Sequence, residues 1–267
     1  GYALQAPPLV MYSLCAVGAA CNAIGGSGGP LAVFFVAVLT CEIGKLVSKE
    51  TKIDIIVTPA VTVIVGVVLA MLLAPVCKNI CNALGAFIGW ATDLRPFWMG
   101  MIISVVVGIV LTLPISSAAL GIILGLTGPA AGAATIGCCC QMVGFAVASF
   151  RENGVGGLLA QGIGTSMLQV PNIVRHPQIW IPEILSSAIL GPIAISKWIG
   201  MTNNATGSGM GTSGLVGQIM TWQTMTVSES PVSVLIKILL FHFILPAIVT
   251  LVFSEAMRKH NMIKKGD

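Results

Sequence analysis

One carboxylate stands out for its surroundings: Glu183 follows Pro182 inside an apolar stretch, Ile179 to Leu190, that holds no other charge. An isolated carboxylate is expensive there, so a buried acid of this kind points to a bound solute or a coupling cation. Seven residues before it lies His176, whose imidazole both donates and accepts at neutral pH and could hold a hydroxyl, or could sit at the membrane interface. Upstream, Gln141, Gln161, Thr165, Ser166, Gln169 and Asn172 form a series of neutral polar side chains in or beside glycine-rich apolar sequence. Neutral donors and acceptors suit the hydroxyls of a sugar-like solute. They also suit hydrogen bonds between helices in lipid, and both readings stay open.

The elements that must position these groups are membrane helices. From Pro96 to Phe150 the chain carries no Asp, Glu, Lys, Arg or His. A bilayer core of about 30 Å takes about twenty apolar residues per crossing, so this run alone supplies two crossings and a connection. The whole chain is 56% hydrophobic and 8% charged, with mean hydropathy +0.97, which excludes a soluble fold that must clothe itself in charge. The apolar runs are continuous and long, which also excludes a transmembrane barrel. We expect an all-α, polytopic transmembrane bundle forming a single domain over 1–267.

Gly, Pro and charge as punctuation place crossings at 4–24, 30–48, 55–76, 97–113, 130–150, 179–200 and 231–255. Residues 79–94 read as a helix lying in the interface. Two apolar segments, 115–129 and 154–177, are too broken by Gly and Pro for plain spans and read as re-entrant. Backbone interrupted at membrane depth survives only where protein or water satisfies it, which is why broken helices mark transporter sites. The Gly25 to Pro30 cluster reads as a tight turn, and the charge-free stretch 201–217 as a flexible connection rather than a lid over a neutral ligand.

Eight cysteines lie in or beside apolar runs, where thiols act as small hydrophobes. Cys138, Cys139 and Cys140 are consecutive, so on a helix they point three ways and cannot share one ion. We expect no metal and no cofactor. Glu42 and Lys45 are spaced to pair on one helix face, His242 reads as a helix-packing residue, and Asp93 with Arg95 and Trp98 as an interfacial anchor. The basic tail holding Arg258, Lys259, His260, Lys264 and Lys265 predicts a cytoplasmic C-terminus in a multi-pass plasma-membrane protein. That tail is too short and aromatic-poor for a nucleic-acid arm. The first residue is Gly1 and not Met, and Gln5 to Asn22 already reads as part of a span, so the sequence reads as beginning inside a longer protein; with no charged n-region ahead of it, that stretch does not read as a secretory signal peptide.

The stretch His176-Pro177-Gln178-Ile179-Trp180-Ile181-Pro182-Glu183-Ile184-Leu185, continued by Ala188 to Ile193, resembles the Asn-Pro and Ile-Pro-Phe pattern of the EIIC membrane subunit of sugar phosphotransferase systems. With Thr51 to Gly66, it is most similar to the glucose-superfamily subgroup that includes perfringolysin-regulator (PfoR) proteins. The resemblance implies a homodimeric, elevator-type permease that passes a sugar across the membrane and works with soluble EIIA and EIIB proteins. In that superfamily a re-entrant segment ahead of the Asn-Pro motif carries a glutamate that engages the sugar. The corresponding stretch here, Gly162 to Asn172, has no acid. Phosphoryl transfer then lacks a positioning group, and two readings follow: transport without phosphotransfer, or a membrane-embedded regulator that binds a solute without moving it.

Overall fold

The computed structural model describes residues 4–51, 53–92, 94–264 and 266. Among them every regular element is helical, and the one extended pairing is an isolated bridge between Gly128 and Asn203. The helices are α1 (Pro8–Gly25), α2 (Gly29–Val47), α3 (Asp54–Thr92), α4 (Pro96–Thr112), α5 (Ser117–Ile123), α6 (Gly128–Ala148), α7 (Phe150–Leu159), α8 (Val170–Arg175), α9 (Ile181–Ala194), α10 (Ala205–Ser208), α11 (Val216–Met225), α12 (Pro231–Ile238) and α13 (Leu245–Lys259). A π-helical turn at Leu239–Ile244 joins α12 to α13 without a break. Proline opens α1, α2, α4, α6 and α12 within their first two positions, where its missing N–H would have no helical partner anyway.

Among the described residues, five helical stretches are long and apolar enough to cross a bilayer: α1, α2, α3, α6 and the run Pro231–Lys259. Two of the seven expected crossings, 97–113 and 179–200, form helices shorter than these. Helix α4 stops at 17 residues. Helix α9 has 14 residues, about 21 Å of rise against a core of about 30 Å, because the chain turns away after Ala194. The expected interfacial helix at 79–94 is also corrected. Residues 54–92 form one helix of 39 residues, with Pro59 and Pro75 inside it. Pro75 costs its ladder bond but does not stop the helix, and no other breaker stands between it and Gly85.

The chain forms two compact units, 1–85 with 114–116, and 86–113 with 117–267. In the first, α1 packs on α2 through Val10, Leu14 and Cys41, and the Gly25–Gly29 turn joins them as expected. Glu42 and Lys45 pair at 2.8 Å on α2. Phe34 and Phe35 on α2, and Ile55, Ile56, Ile64 and Leu72 on α3, are exposed, a density of outward apolar side chains that suits lipid and not water.

In the second unit α6 is the axis, and Ala130 through Ala146 are all buried. Helices α4, α9 and α13 pack around it. Small residues set the spacing: Gly137 lies against the Ser104 backbone of α4, closer than any side chain would permit. The three cysteines point three ways. Cys138 faces Val107 and Ser208, Cys139 faces Gln218, and Cys140 packs in the cluster of Leu190 and Ala194.

The 201–217 stretch is not a flexible connection. Met201, Asn203, Ser208 and Thr212 are buried, and Asn203 Nδ2 donates to Thr135 Oγ1 at 2.8 Å and to Gly217 O at 3.2 Å. Its glycines permit this close docking; Gly209 O accepts from Ser117 Oγ at 2.7 Å. His242 is buried in the π turn, with Nδ1 3.0 Å from Gln218 Nε2, as a packing residue should be. Asp93 and Lys265 lie outside the described residues.

Candidate functional site

The segment from α7 to α9 is broken repeatedly, as its glycines foretell. Gly154 adopts φ 57°, ψ −156°, a left-handed conformation that side chains resist, and kinks α7. A π turn follows at Ala160–Gly164, then extended Thr165, a 3₁₀ turn at Ser166–Gln169, α8, and a second 3₁₀ turn at Pro177–Trp180. Each break frees backbone groups and re-aims the next side chain, so polar residues distant on a plain helix converge here.

They converge as two chains of hydrogen bonds. In one, Asn172 Nδ2 donates to Gln169 Oε1 at 2.9 Å, Gln169 Nε2 donates to Gln161 Oε1 at 3.0 Å, and Gln161 Nε2 donates to Ser149 Oγ at 3.1 Å. In the other, Trp180 Nε1 donates to Gln141 Oε1 at 2.6 Å, and Thr112 Oγ1 donates to the same oxygen at 3.2 Å while sharing a 2.9 Å bond with Ser166 Oγ. Gln141, Gln161, Ser166 and Gln169 are buried, so these bonds replace water that the site excludes.

The first chain borders a cavity of about 240 Å³. Gln169 and Asn172 come to it from the broken segment, Glu183 from α9, Ser149, Glu152 and Asn153 from the α6–α7 junction, and Ser254 and Arg258 from α13. Glu183 is wholly buried, and neither carboxylate oxygen has a hydrogen-bond partner among the described residues. Gly144 makes room for it: a Cβ there would stand 2.9 Å from Glu183 Cγ and 3.0 Å from Thr250 Oγ1, a second buried oxygen without a partner. At the mouth, Arg258 donates from Nη1 to Glu152 Oε1 at 2.8 Å and from Nη2 to Glu152 Oε2 at 3.3 Å. Arg258, Glu152 and Ile263 also border a neighbouring polar cavity with Arg151 and Lys264.

Of the residues singled out in the sequence, Gln169, Asn172 and Glu183 therefore meet around one space, with Gln161 directly behind them. Gln141 and Ser166 belong to the second chain. Thr165 accepts from Met167 N at 3.1 Å and starts the 3₁₀ turn, a local capping role. His176 is half-buried at the bend between α8 and the turn before α9, and does not line the cavity. Sequence reasoning missed Ser149, Glu152, Asn153, Ser254 and Arg258. Arg258 was visible only as part of a basic tail, and its partner lies 106 residues away.

Comparison with known families gives a match over residues 1–267 to the family described as "Phosphotransferase system, EIIC". No curated protein and no solved structure matches the chain.

Proposed function

The chain belongs to the EIIC family of the phosphotransferase system, a membrane component whose family implies sugar transport with EIIA and EIIB partners, and from that premise we propose that it is a permease binding a small hydrophilic sugar in the cavity beside Glu183. The observation that carries this reading is that Gln169 and Asn172, from the broken segment, line one cavity together with Glu183, whose buried carboxylate has no hydrogen-bond partner among the described residues. Amides and a carboxylate supply the paired donors and acceptors that hydroxyls require, and discrimination follows because a solute lacking them leaves buried groups unmatched. Gln161 braces Gln169 from behind, and Gln141, Thr165, Ser166 and His176 hold the broken segment and the α9 entry in place.

Residues 162–172 contain no acid, and the acids that border the cavity among the described residues are Glu152 and Glu183. This favours transport without phosphotransfer. It equally supports a second reading, a membrane-embedded regulator that binds the sugar and does not pass it. Residues 1–267 act in this proposal as one EIIC domain of a homodimeric, elevator-type protein of the PfoR-like subgroup. The test is a thermal-stability screen of the purified protein in lipid discs against free sugars, since a solute that binds only the folded form raises its melting temperature. Failure of every sugar to do so removes the proposal. Uptake of the stabilising sugar into proteoliposomes without EIIB supports the permease; binding without uptake supports the regulator. Accumulation of sugar phosphate only when phosphorylated EIIB is present overturns the non-phosphorylating form.

A further inference from the structure

The cavity beside Glu183, of about 240 Å³, and its polar neighbour, of about 510 Å³, have three described residues in common: Glu152, Arg258 and Ile263. Glu152 and Arg258 form the ion pair that joins α7 to α13. Ile263 is the apolar member of this shared wall and comes from the segment that follows α13. The end of the helix sets how it gets there. Met262 N–H donates to Met257 O at 3.0 Å and Asn261 N–H donates to Arg258 O at 3.0 Å, the paired bonds of a Schellman cap. Asn261 takes the left-handed position that such a cap requires, at φ 56°, where Asn is tolerated better than most side chains. The chain folds back, and Ile263 packs in one cluster with Phe145 of α6, Ile173 of α8, Ile179 and Met257.

Burial along the segment singles out that one side chain. His260, Asn261, Met262, Lys264 and Gly266 are exposed, whereas Ile263 is 7% exposed. An element seated by one buried side chain opens more readily than helices seated by many, so of the three shared residues Ile263 stands on the part of the wall that yields first. The ion pair is anchored at both ends by helices, and Arg258 Nη2 also donates to the Ala148 carbonyl at 3.0 Å.

We propose that residues 260–264 are a strap that closes the inner cavity toward the outer one, with Ile263 as its latch, and that the strap lifts as solute passes between them. Its part in solute passage rests on the binding reading above. The closure itself is tested without solute, so either can fail alone.

The reporter is Ser254→Cys: Ser254 lines the inner cavity, is 2% exposed and lies one turn ahead of Arg258 on α13. The full chain in lipid discs is treated with iodoacetamide, and the alkylation rate at position 254 is read by mass spectrometry of its peptide. Adding Ile263→Ala is expected to raise that rate about fivefold or more, and adding Val252→Ala, which trims an exposed apolar side chain of the same helix, to change it by less than about twofold. Asn261→Val puts a β-branched residue in the left-handed position and should raise the rate about threefold or more, while Asn261→Gly, which accepts that backbone, should stay within about twofold of the Ser254→Cys parent. Buried Cys138, Cys139 and Cys140 report general loosening. If they speed up together with position 254 in Ile263→Ala, the two Asn261 variants decide, and equal rates for those two overturn the strap. Without such loosening, an Ile263→Ala protein that reacts no faster than its parent overturns it. A strap that opens as expected in a protein that no sugar stabilises stands as a closure and removes the solute reading.

Discussion

Arg258, on the last helix, closes on Glu152, on the kinked α7, with two nitrogens on two carboxylate oxygens at 2.8 and 3.3 Å. The pair ties α13 to the start of the broken segment at the mouth of the cavity, and both side chains are about one-fifth exposed. Exposed pairs contribute about 0–1 kcal/mol and buried ones cost about 3–5 kcal/mol when one partner is removed, so this intermediate pair should fall between.

Accordingly, Glu152→Gln and Arg258→Met are each expected to destabilise the protein by about 1–3 kcal/mol. The double variant should lose less than the sum. Melting curves in lipid discs give the cycle, and strict additivity would show that the contact contributes nothing.

Gly144 tests the packing around Glu183. A methyl group there meets Glu183 Cγ at 2.9 Å and Thr250 Oγ1 at 3.0 Å, while one at Gly164 meets nothing within 4 Å. Gly144→Ala should therefore lower stability by about 1–3 kcal/mol through overpacking, and Gly164→Ala should leave it nearly unchanged. Equal melting temperatures for the two variants would contradict the described packing of α6, α9 and α13.

How much of this was legible beforehand follows from which forces act locally. Continuous apolar runs and proline at helix starts are local signals, and they placed α1, α2, α4, α6 and the final run within a few residues. The Gly154-to-Gly164 cluster likewise announced a broken segment. Helix α3 escaped because Gly, Pro and charge as punctuation divide it into a crossing at 55–76 and a separate helix at 79–94, whereas the chain continues through as one helix. The 201–217 stretch looked mobile by composition, yet its Asn203 and glycines are what permit close docking against α6 and α11. At the site, Glu183, Gln169 and Asn172 could be picked out by polarity in apolar sequence. Their partners could not: Ser149, Glu152 and Arg258 look like ordinary helix-end residues until folding joins positions over a hundred residues apart.

The amide chain offers a finer test. Gln169 donates to Gln161 and accepts from Asn172, so Gln169→Ala strands two neighbours at once. A loss of about 1–3 kcal/mol in stability is expected, with weaker solute stabilisation as well. Trp180→Phe removes one donor from Gln141 and leaves Thr112 in place, so its cost should be smaller, about 1 kcal/mol. Melting temperatures with and without a stabilising sugar separate the effects. Gln169→Ala that melts and binds like wild type would remove that residue from the site.

Orientation is the remaining prediction, and it decides from which compartment the cavity mouth is reached. Arg258 and Lys264 border the polar space outside the Glu152 pair, and the basic residues that end the chain favour the cytoplasmic side, where positive flanks of membrane helices concentrate. A cysteine placed at Lys264 should resist an impermeant thiol reagent in intact cells and react once the membrane is opened. The unaltered protein, whose Cys15 is the exposed native thiol among the described residues, serves as the background control. Rapid labelling of the Lys264→Cys protein in intact cells, above that background, would put the tail and the mouth outside. The solute would then meet the Glu152–Arg258 pair on entering rather than on leaving.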